Sequence, residues 1–499
     1  MTSPSTLDAV AKQQTRLRPT LDQVYIIAAL MLIALRPLLT PIPPHDFWWH
    51  MATGRVILET GTIPQNDLFS YTRAGEPFFN QGWLAQLLMA LIHRIGGLPL
   101  IIVVQALVLA LAYGLLLRLC ILRTGRIRAC VAILLLVTMP LSFDNWTVRP
   151  QTYVFPLFVG FLTILTEYRL GSARRLWLLP ALMALWVNMH GSFVLGLGLI
   201  GIVFASETVK RWRGAPGPCL DVPLIVWGAA TAAATLLNPR GVEVLGYVTN
   251  LIGSSQVTDL VTEWSPPTVR DINGAIFFLF LIVAALTLIY ARTRPDLTDL
   301  VLFGAFLWLA LGATRNIVWL GFVATPLLAV QATTLLPPPP QRRFQGIPAM
   351  NAALIGLLAL LLLIGSPWVK PALLPPETGA LLAKGTPVAA TRALQELPQR
   401  PQRLFHAMSY GSYLIWAAPE QKVFIDPRIE LYPFEQWRDY ILLGQGVEVE
   451  ALLAKYRIDG MMLSIEEQAP LLEYARTRAD VWREVYADEE TVVLVRSGG

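Results

Sequence analysis

The sequence predicts an α-helical polytopic membrane protein of about 11 transmembrane helices, followed by a small C-terminal α/β domain outside the membrane. Three observations carry this. Of 499 residues, 55% are hydrophobic and only 15% charged, with a mean hydropathy of +0.53, far from the balance of a soluble enzyme. The apolar residues fall in long runs bounded by charge or proline. After Ser366 the pattern changes, and a proline-rich stretch leads into short alternating strand and helix signals.

A hydrocarbon core of about 30 Å takes about 20 helical residues, fewer where flanking side chains snorkel. The runs that qualify are Val24–Leu39, Leu98–Ile121, Ala129–Phe143, Thr152–Thr166, Leu176–Val187, Phe193–Ala205, Val222–Leu237, Ala275–Ala291, Leu300–Ala313, Ile317–Leu335 and Met350–Gly365. Basic residues outnumber acidic ones by 39 − 34 = 5. They cluster between the spans instead of along one polar face, which argues against a nucleic-acid partner and for cytoplasmic loops. Lys12, Arg16 and Arg18 precede the first span. Alternate connections carry Arg123/Arg126/Arg128, Arg169/Arg174/Arg175, Lys210/Arg211/Arg213, Arg292/Arg294 and Arg342/Arg343. The opposite connections hold Arg149, Arg240 and Arg315 beside Asp46, Asp67, Asp144, Glu243, Glu263 and Asp271. An odd number of crossings then puts the N-terminus in the cytoplasm and the C-terminal domain outside a bacterial cytoplasmic membrane. The Thr40-Pro41-Ile42-Pro43-Pro44 stretch offers no small-residue cleavage site, so the first span reads as a retained anchor. Cys120, Cys130 and Cys219 lie in no outer segment, which argues against disulfides and a thiolate metal site.

The expected organisation is a transmembrane domain over 1–366, with outer loops at 41–82 and 238–273. A proline-rich linker over 367–402 and an α/β domain over 403–499 follow. The first loop holds two candidate interfacial helices, Phe47–Leu58 and Trp83–His93. In the tail, strands are expected at Arg403–His406, Lys422–Asp426, Gly460–Ser464, Trp482–Ala487 and Thr491–Arg496. Helices are expected at Glu435–Leu443, Val449–Tyr456 and Glu466–Thr477.

Chemistry concentrates at the outer face. In Pro44-His45-Asp46-Phe47-Trp48-Trp49-His50, Asp46 either caps a helix that starts at Phe47 or serves as a general base with His45 or His50 beside it. Arg149, Arg240 and Arg315 stand at outer ends of spans, where a guanidinium pairs with a neighbouring acid, snorkels, or binds an anion such as a lipid phosphate. His190 lies between two short runs and either lines the same cavity or serves as a buried structural histidine. In the tail, Asp426 and Arg428 either pair with each other or join Tyr413 in acceptor recognition.

These residues carry a resemblance: Asp46-Phe47-Trp48-Trp49-His50, Gly54-Arg55, Gly61-Thr62-Ile63-Pro64, Asp67-Leu68-Phe69-Ser70-Tyr71-Thr72 and Gly82-Trp83-Leu84 resemble the first periplasmic loop of GT-C superfamily membrane glycosyltransferases. The similarity continues at Arg149-Pro150-Gln151, Asn188-Met189-His190-Gly191, Asn238-Pro239-Arg240-Gly241, Thr262-Glu263-Trp264, Tyr410-Gly411-Ser412-Tyr413-Leu414 and Ile425-Asp426-Pro427-Arg428. It implies a transferase that moves a sugar from a polyprenyl-phosphate carrier to a glycan, lipid or protein acceptor. Asp46 matches the acidic first-loop residue best and Asp67 second, with Glu263 among the supporting groups. The first loop has neither the Asp-x-Asp of oligosaccharyltransferase catalytic subunits nor the Asp-Glu pair of protein O-mannosyltransferases. Metal ligands therefore stay unassigned, with Mg or Mn the divalent cation such a site would take. An O-antigen-type polymerase or ligase, a transporter of lipid-linked glycan and a non-catalytic scaffold are the other readings. Spans that are nearly pure apolar between their ends count against the transporter.

Overall fold

The computed structural model describes residues 19–216, 221–253, 262–338 and 344–497. Lys12, Arg16, Arg18, Cys219, Arg342 and Arg343 lie outside the described residues. Each apolar run falls on a helical segment: α1 (Leu21–Leu39), α3 (Trp83–Thr124), α4 (Ile127–Leu141), α5 (Phe155–Arg169), α6 (Leu178–Val187), α7 (Phe193–Trp212), α8 (Val222–Ala234), α10 (Ile272–Tyr290), α11 (Leu297–Gly312), α12 (Ile317–Leu335) and α13 (Pro348–Ile364). Between them lie two helices of the outer loops, α2 (Phe47–Thr60) and α9 (Glu243–Gly253). Among the described residues, five helices are long and apolar enough to cross a membrane, and others are shorter apolar helices of 10–17 residues. The protein is membrane-embedded.

Local chemistry explains several boundaries. The side chains of Thr20 and Gln23 form a reciprocal capping box at the start of α1, which satisfies two orphan N–H groups. In α3, Gly96 and Gly97 break the helix, Gly97 with φ +64°, a conformation only glycine takes without strain. The arm Trp83–Ile95 can thereby turn away from the long apolar segment beyond it, as the separate interfacial helix expected at Trp83–His93 requires. Between α5 and α12, buried Phe155 meets Trp319 and Phe322 edge to face, and Phe158 meets the same two rings at a tilt.

The basic clusters gather at one end of the bundle. Arg169 pairs with Asp299 (2.7 Å), Glu207 (3.1 Å) and Asp296, Asp299 also takes Arg123, and Lys210 bridges Glu207 and Asp296. Arg128 pairs with Asp22 at the start of α1, and Arg211 with Asp221 before α8. Every one of these helix ends is opposite to the end that carries Asp46.

The tail holds a four-stranded sheet in the order β1-β2-β4-β3, with β1 (Leu404–His406), β2 (Gly460–Ser464), β3 (Trp482–Ala487) and β4 (Thr491–Arg496). β1 runs parallel to β2, and β4 is antiparallel to both of its neighbours. Helices α14 (Val388–Glu396), α15 (Met408–Ala417), α16 (Phe434–Gly444), α17 (Val449–Tyr456) and α18 (Ala469–Thr477) surround it. Two expectations are corrected. The segment Lys422–Asp426 is outside the sheet, because the first loop claims its backbone: Tyr71 N–H donates to Val423 O (3.0 Å) and Val423 N–H to Phe69 O (3.1 Å). The stretch expected as linker contains α14, whose Ala390 and Leu394 belong to the tail core.

That core also takes Trp49, Ala52 and Phe78 from the first loop, so loop and tail fold as one body. The loop is fixed to the bundle in turn, since α2 lies so close to α3 that a methyl at Gly54 would overlap the Gln86 carbonyl. Gly54→Ala is expected to lower stability by about 1–3 kcal/mol, read as an earlier melting transition of the purified protein, whereas Gly61→Ala, with open space around it and φ +68°, should show only the cost of a left-handed alanine, about 1 kcal/mol.

Candidate active site

The outer ends of the helices bring together charged groups that are far apart in sequence. Asp46 stands at the N-cap position of α2, yet its carboxylate makes no capping hydrogen bond. The indole N–H of Trp49 faces it without closing one. Burial raises the Asp46 carboxyl above its usual range against the pull of Arg149. A carboxylate so shifted is a better proton acceptor near neutral pH.

Arg149 follows α4 and is nine-tenths buried. Its Nη1 donates to both oxygens of Glu263 (2.7 and 2.8 Å). Its Nε and Nη2 have no partner. Half of a guanidinium fork is therefore open in a buried place, where an unpartnered donor costs about 1–3 kcal/mol. Glu263 sits on the turn Thr262–Trp264, and Arg315 on the turn Thr314–Asn316. Thr314 joins the two, its N–H donating to Ser265 O (3.1 Å) and its hydroxyl to Glu263 O (3.0 Å). Arg315 lies over the Trp264 ring at 4.5 Å. Burial alone would raise the Glu263 carboxyl, but Arg149 and then Arg315 hold it below the usual range, so it stays ionised.

Two histidines complete the wall. His50 Nδ1 is 3.1 Å from Gln86 Nε2 rather than paired with Asp46. Burial, then Arg149 and Arg428, hold its imidazole well below the ordinary value. His190 is bound to Ser192 (Nδ1 to Oγ 2.9 Å) and is lowered likewise by burial, then by Arg315, Arg149 and His50. Both rings are neutral at pH 7. His45 is exposed, and its carbonyl is what the fold uses.

The tail supplies one more acid. Glu430 keeps accessible surface, and the surrounding protein raises its carboxyl by desolvation. Asp46 adds to that upward shift, and Tyr247 of α9 donates to Glu430 Oε1 at 3.4 Å. Neither Glu430 nor Tyr247 stood out in the sequence. The only signal for Glu430 is its place two residues beyond Asp426-Pro427-Arg428.

Other expected residues are placed elsewhere. The Asp67 side chain has no exposed surface, so it cannot touch a substrate: it accepts from Ser70 N–H (3.0 Å), Ser70 Oγ (2.7 Å) and Phe69 N–H (3.1 Å), and pairs with Arg428 (2.7 Å). Arg428 also grips Asp426 through Nε (2.8 Å) and Nη2 (2.6 Å), and Tyr432 donates to Asp426 at 2.5 Å. Asp426 and Arg428 are buried, so they face no acceptor. Tyr413 is 9% exposed and packs edge-on against Trp48. Arg240 is occupied by Gln65, Glu243 and the face of Phe79, bracketing the second outer loop to the first. No group of three or more His, Cys, Asp or Glu among the described residues could hold a metal ion. The guanidiniums interleaved with Asp46 and Glu263 repel a cation, so this donor set does not fit Mg or Mn.

No protein-family model matches the sequence, and no curated protein does. Solved structures do. ArnT from Cupriavidus metallidurans bound to undecaprenyl phosphate aligns with 95% of this chain and 98% of its own, at TM-score 0.53 and 13% identity. Archaeal oligosaccharyltransferase AglB from Archaeoglobus fulgidus, in complex with an inhibitory peptide and a dolichol-phosphate, aligns with 95% of this chain and 74% of its own, at TM-score 0.52 and 12% identity. The Archaeoglobus fulgidus oligosaccharyltransferase complex with Zn and sulfate gives TM-score 0.50 at 11% identity, over 95% and 73% of the two chains. The fold is that of the GT-C membrane glycosyltransferases. The resemblance carried by the outer-loop motifs thus holds for the architecture, bundle and tail together.

The Arg428 clamp has a measurable pH signature. Asp426 would be raised by burial but is held below its usual value by Arg428 and Tyr432, so its stabilising contribution is full above the unfolded aspartate pKa of about 3.9 and is lost as pH falls through the lower folded value. Arg428→Ala leaves two buried carboxylates unpaired and should cost about 3–5 kcal/mol. Limited proteolysis between bundle and tail should accelerate in that variant, and in the wild type only under strongly acidic conditions.

Proposed function

We propose that the protein is a glycosyltransferase that moves a single sugar from a polyprenyl-phosphate donor to an extracytoplasmic acceptor hydroxyl, with inversion at the anomeric carbon. The observation that carries this reading is the unpaired half of the buried Arg149 guanidinium near Asp46, an acid that makes no capping hydrogen bond. Planar N–H donors suit a phosphate oxygen, and the neighbouring ArnT and AglB structures hold undecaprenyl phosphate and dolichol-phosphate. In the proposed step Asp46 accepts the acceptor's proton as its oxygen bonds to C1 of the sugar. The C1–O bond to phosphate breaks, and the electron pair leaves with polyprenyl phosphate. Arg149 and Arg315 stabilise the charge gathering on that leaving group. Glu263 keeps Arg149 aimed, and Glu430 with Tyr247 offers hydrogen bonds to hydroxyls of the acceptor or the transferred sugar. The donor set supports chemistry without a resident metal.

Release of undecaprenyl phosphate from a panel of undecaprenyl-phosphate-linked pentoses and hexoses, in nanodiscs with a membrane extract as acceptor source, tests the reading. Asp46→Asn should lose about 10²–10⁴-fold in kcat with donor binding intact. Arg149→Ala should weaken undecaprenyl phosphate binding by about tenfold to a hundredfold. Full turnover by Asp46→Asn, or turnover only of diphosphate-linked oligosaccharides, would refute the assignment.

The basic end of the bundle supports a cytoplasmic N-terminus and an outward-facing site in the cytoplasmic membrane. An alkaline phosphatase fused after Gly499 should then be active and a fluorescent protein fused there dark; the reverse pattern would place Asp46 on the cytoplasmic side.

A further inference from the structure

Ser412 of the tail helix α15 is fully buried and 363 residues beyond Trp49, yet its hydroxyl closes the first turn of α2. The Trp49 N–H, third in that helix, donates to Ser412 Oγ (3.1 Å), and Ser412 Oγ–H donates to the carbonyl of His45 (2.5 Å). One hydroxyl therefore grips the backbone on both sides of Asp46. An aspartate at an N-cap position ordinarily accepts from the N–H two or three residues on. Here that donor is taken from outside the helix, the Asp46 backbone is itself helical (φ −53°, ψ −31°), and its carboxylate makes no capping hydrogen bond.

The placement of α15 is specific. A methyl at Gly411 would overlap the Ile425 carbonyl and approach His406 at 2.8 Å, so only glycine lets the helix sit this close. Tyr410 on one side is held by Thr491 (2.9 Å), and Tyr413 on the other abuts the Trp48 ring at 5.0 Å. The sequence Tyr410-Gly411-Ser412-Tyr413 is accounted for residue by residue as a device that delivers one hydroxyl to α2.

We infer that Ser412 is a positioning residue for the transfer reaction: by capping α2 in trans it releases the Asp46 carboxylate from its own helix and presents it to the recess. The inference rests on the proposed role of Asp46. Without the Ser412 hydroxyl, Trp49 N–H is an orphan donor at a positive helix end, and a shift of Asp46 from its helical backbone (φ −53°, ψ −31°) to the extended conformation of a cap would let its carboxylate take that donor. A carboxylate that accepts helix N-terminal N–H groups is stabilised in its ionised form and is drawn away from the acceptor.

Ser412→Ala is expected to lower kcat about tenfold or more while leaving KM for the donor within about twofold, since small displacements of a catalytic group act on the chemical step. The acid limb of the kcat–pH profile should move to lower pH, because the self-capped carboxylate loses its proton more readily. Tyr410→Phe, which also loosens α15 but leaves the Ser412 hydroxyl, should show no such movement. Ser412→Thr, which keeps the hydroxyl, should restore the wild-type limb. If Ser412→Ala does not accumulate, Ser412→Cys retains the volume, weakens both hydrogen bonds and is read by the same two measurements. An unshifted acid limb in the alanine or cysteine variant, whatever its kcat, overturns the inference. Should Asp46→Asn lose activity while Ser412→Ala keeps it, only the positioning role falls. Should both remain active, the general-base role of Asp46 falls first.

Discussion

The burial of one guanidinium, Arg428, between two carboxylates is the interaction on which the outer half of the molecule depends. Asp67 comes from the first loop and Asp426 from the tail, and all three side chains are almost without exposed surface. A buried charge of either sign is tolerated only when its partner is also in place, so loop and tail are stable chiefly in each other's company. The rings of Phe69 and Phe78 on the loop lie within 5.1 Å of the same guanidinium, and they exclude the water that would otherwise weaken the attraction. Once that clamp is closed, Val423 pairs with Ser70 and Trp49 and Phe78 enter the tail core. Helix α15 then has one place to go.

The recess inverts this arrangement. At Arg428 each donor that faces a carboxylate is used; at Arg149 two N–H groups are left without partners. Arg315, stacked on Trp264, adds a second cation, and the neutral histidines add none. A site with two guanidiniums, one ionised Glu263 and a raised Asp46 is poised to take one more negative group, and a sugar phosphodiester carries one. Binding such a donor would satisfy Arg149 and push the Asp46 carboxyl back toward its neutral form unless the headgroup is held on the arginine side. The acid stands on α2 and the cations on the turns before α5 and α12, so the two come from different elements.

Much of the fold was legible because the signals are local. Hydropathy runs placed the bundle helices, and period-two patterns placed Gly460–Ser464, Trp482–Ala487 and Thr491–Arg496 with their observed bounds. What stayed hidden is made by contacts between distant segments. Lys422–Asp426 has the composition of a strand, and nothing in it says that its partner is a loop in another part of the chain. Asp46 and Asp67 both looked like acids at an aqueous face, and only the location of Arg428 separates them: it occupies one and leaves the other. Arg149, Arg240 and Arg315 were equivalent by position, and Arg240 drops out because Glu243 and Gln65 already hold it. Glu430 was passed over because its chemistry depends on a recess that neither neighbour in sequence builds.

These placements bear on what the tail does for the membrane-embedded bundle it follows. Tail residues Asp426 and Arg428 are closed to solvent. The tail instead reaches the site through single side chains, Ser412 against α2 and Glu430 against Tyr247. Helix α2 packs closely on α3 at Gly54, but the Asp46 carboxylate stands at its first turn, where proton transfer demands a tight tolerance. Holding its first turn from a packed domain adds rigidity at that end. On this argument the bundle sets where the donor phosphate rests, and the tail sets where the base stands relative to it.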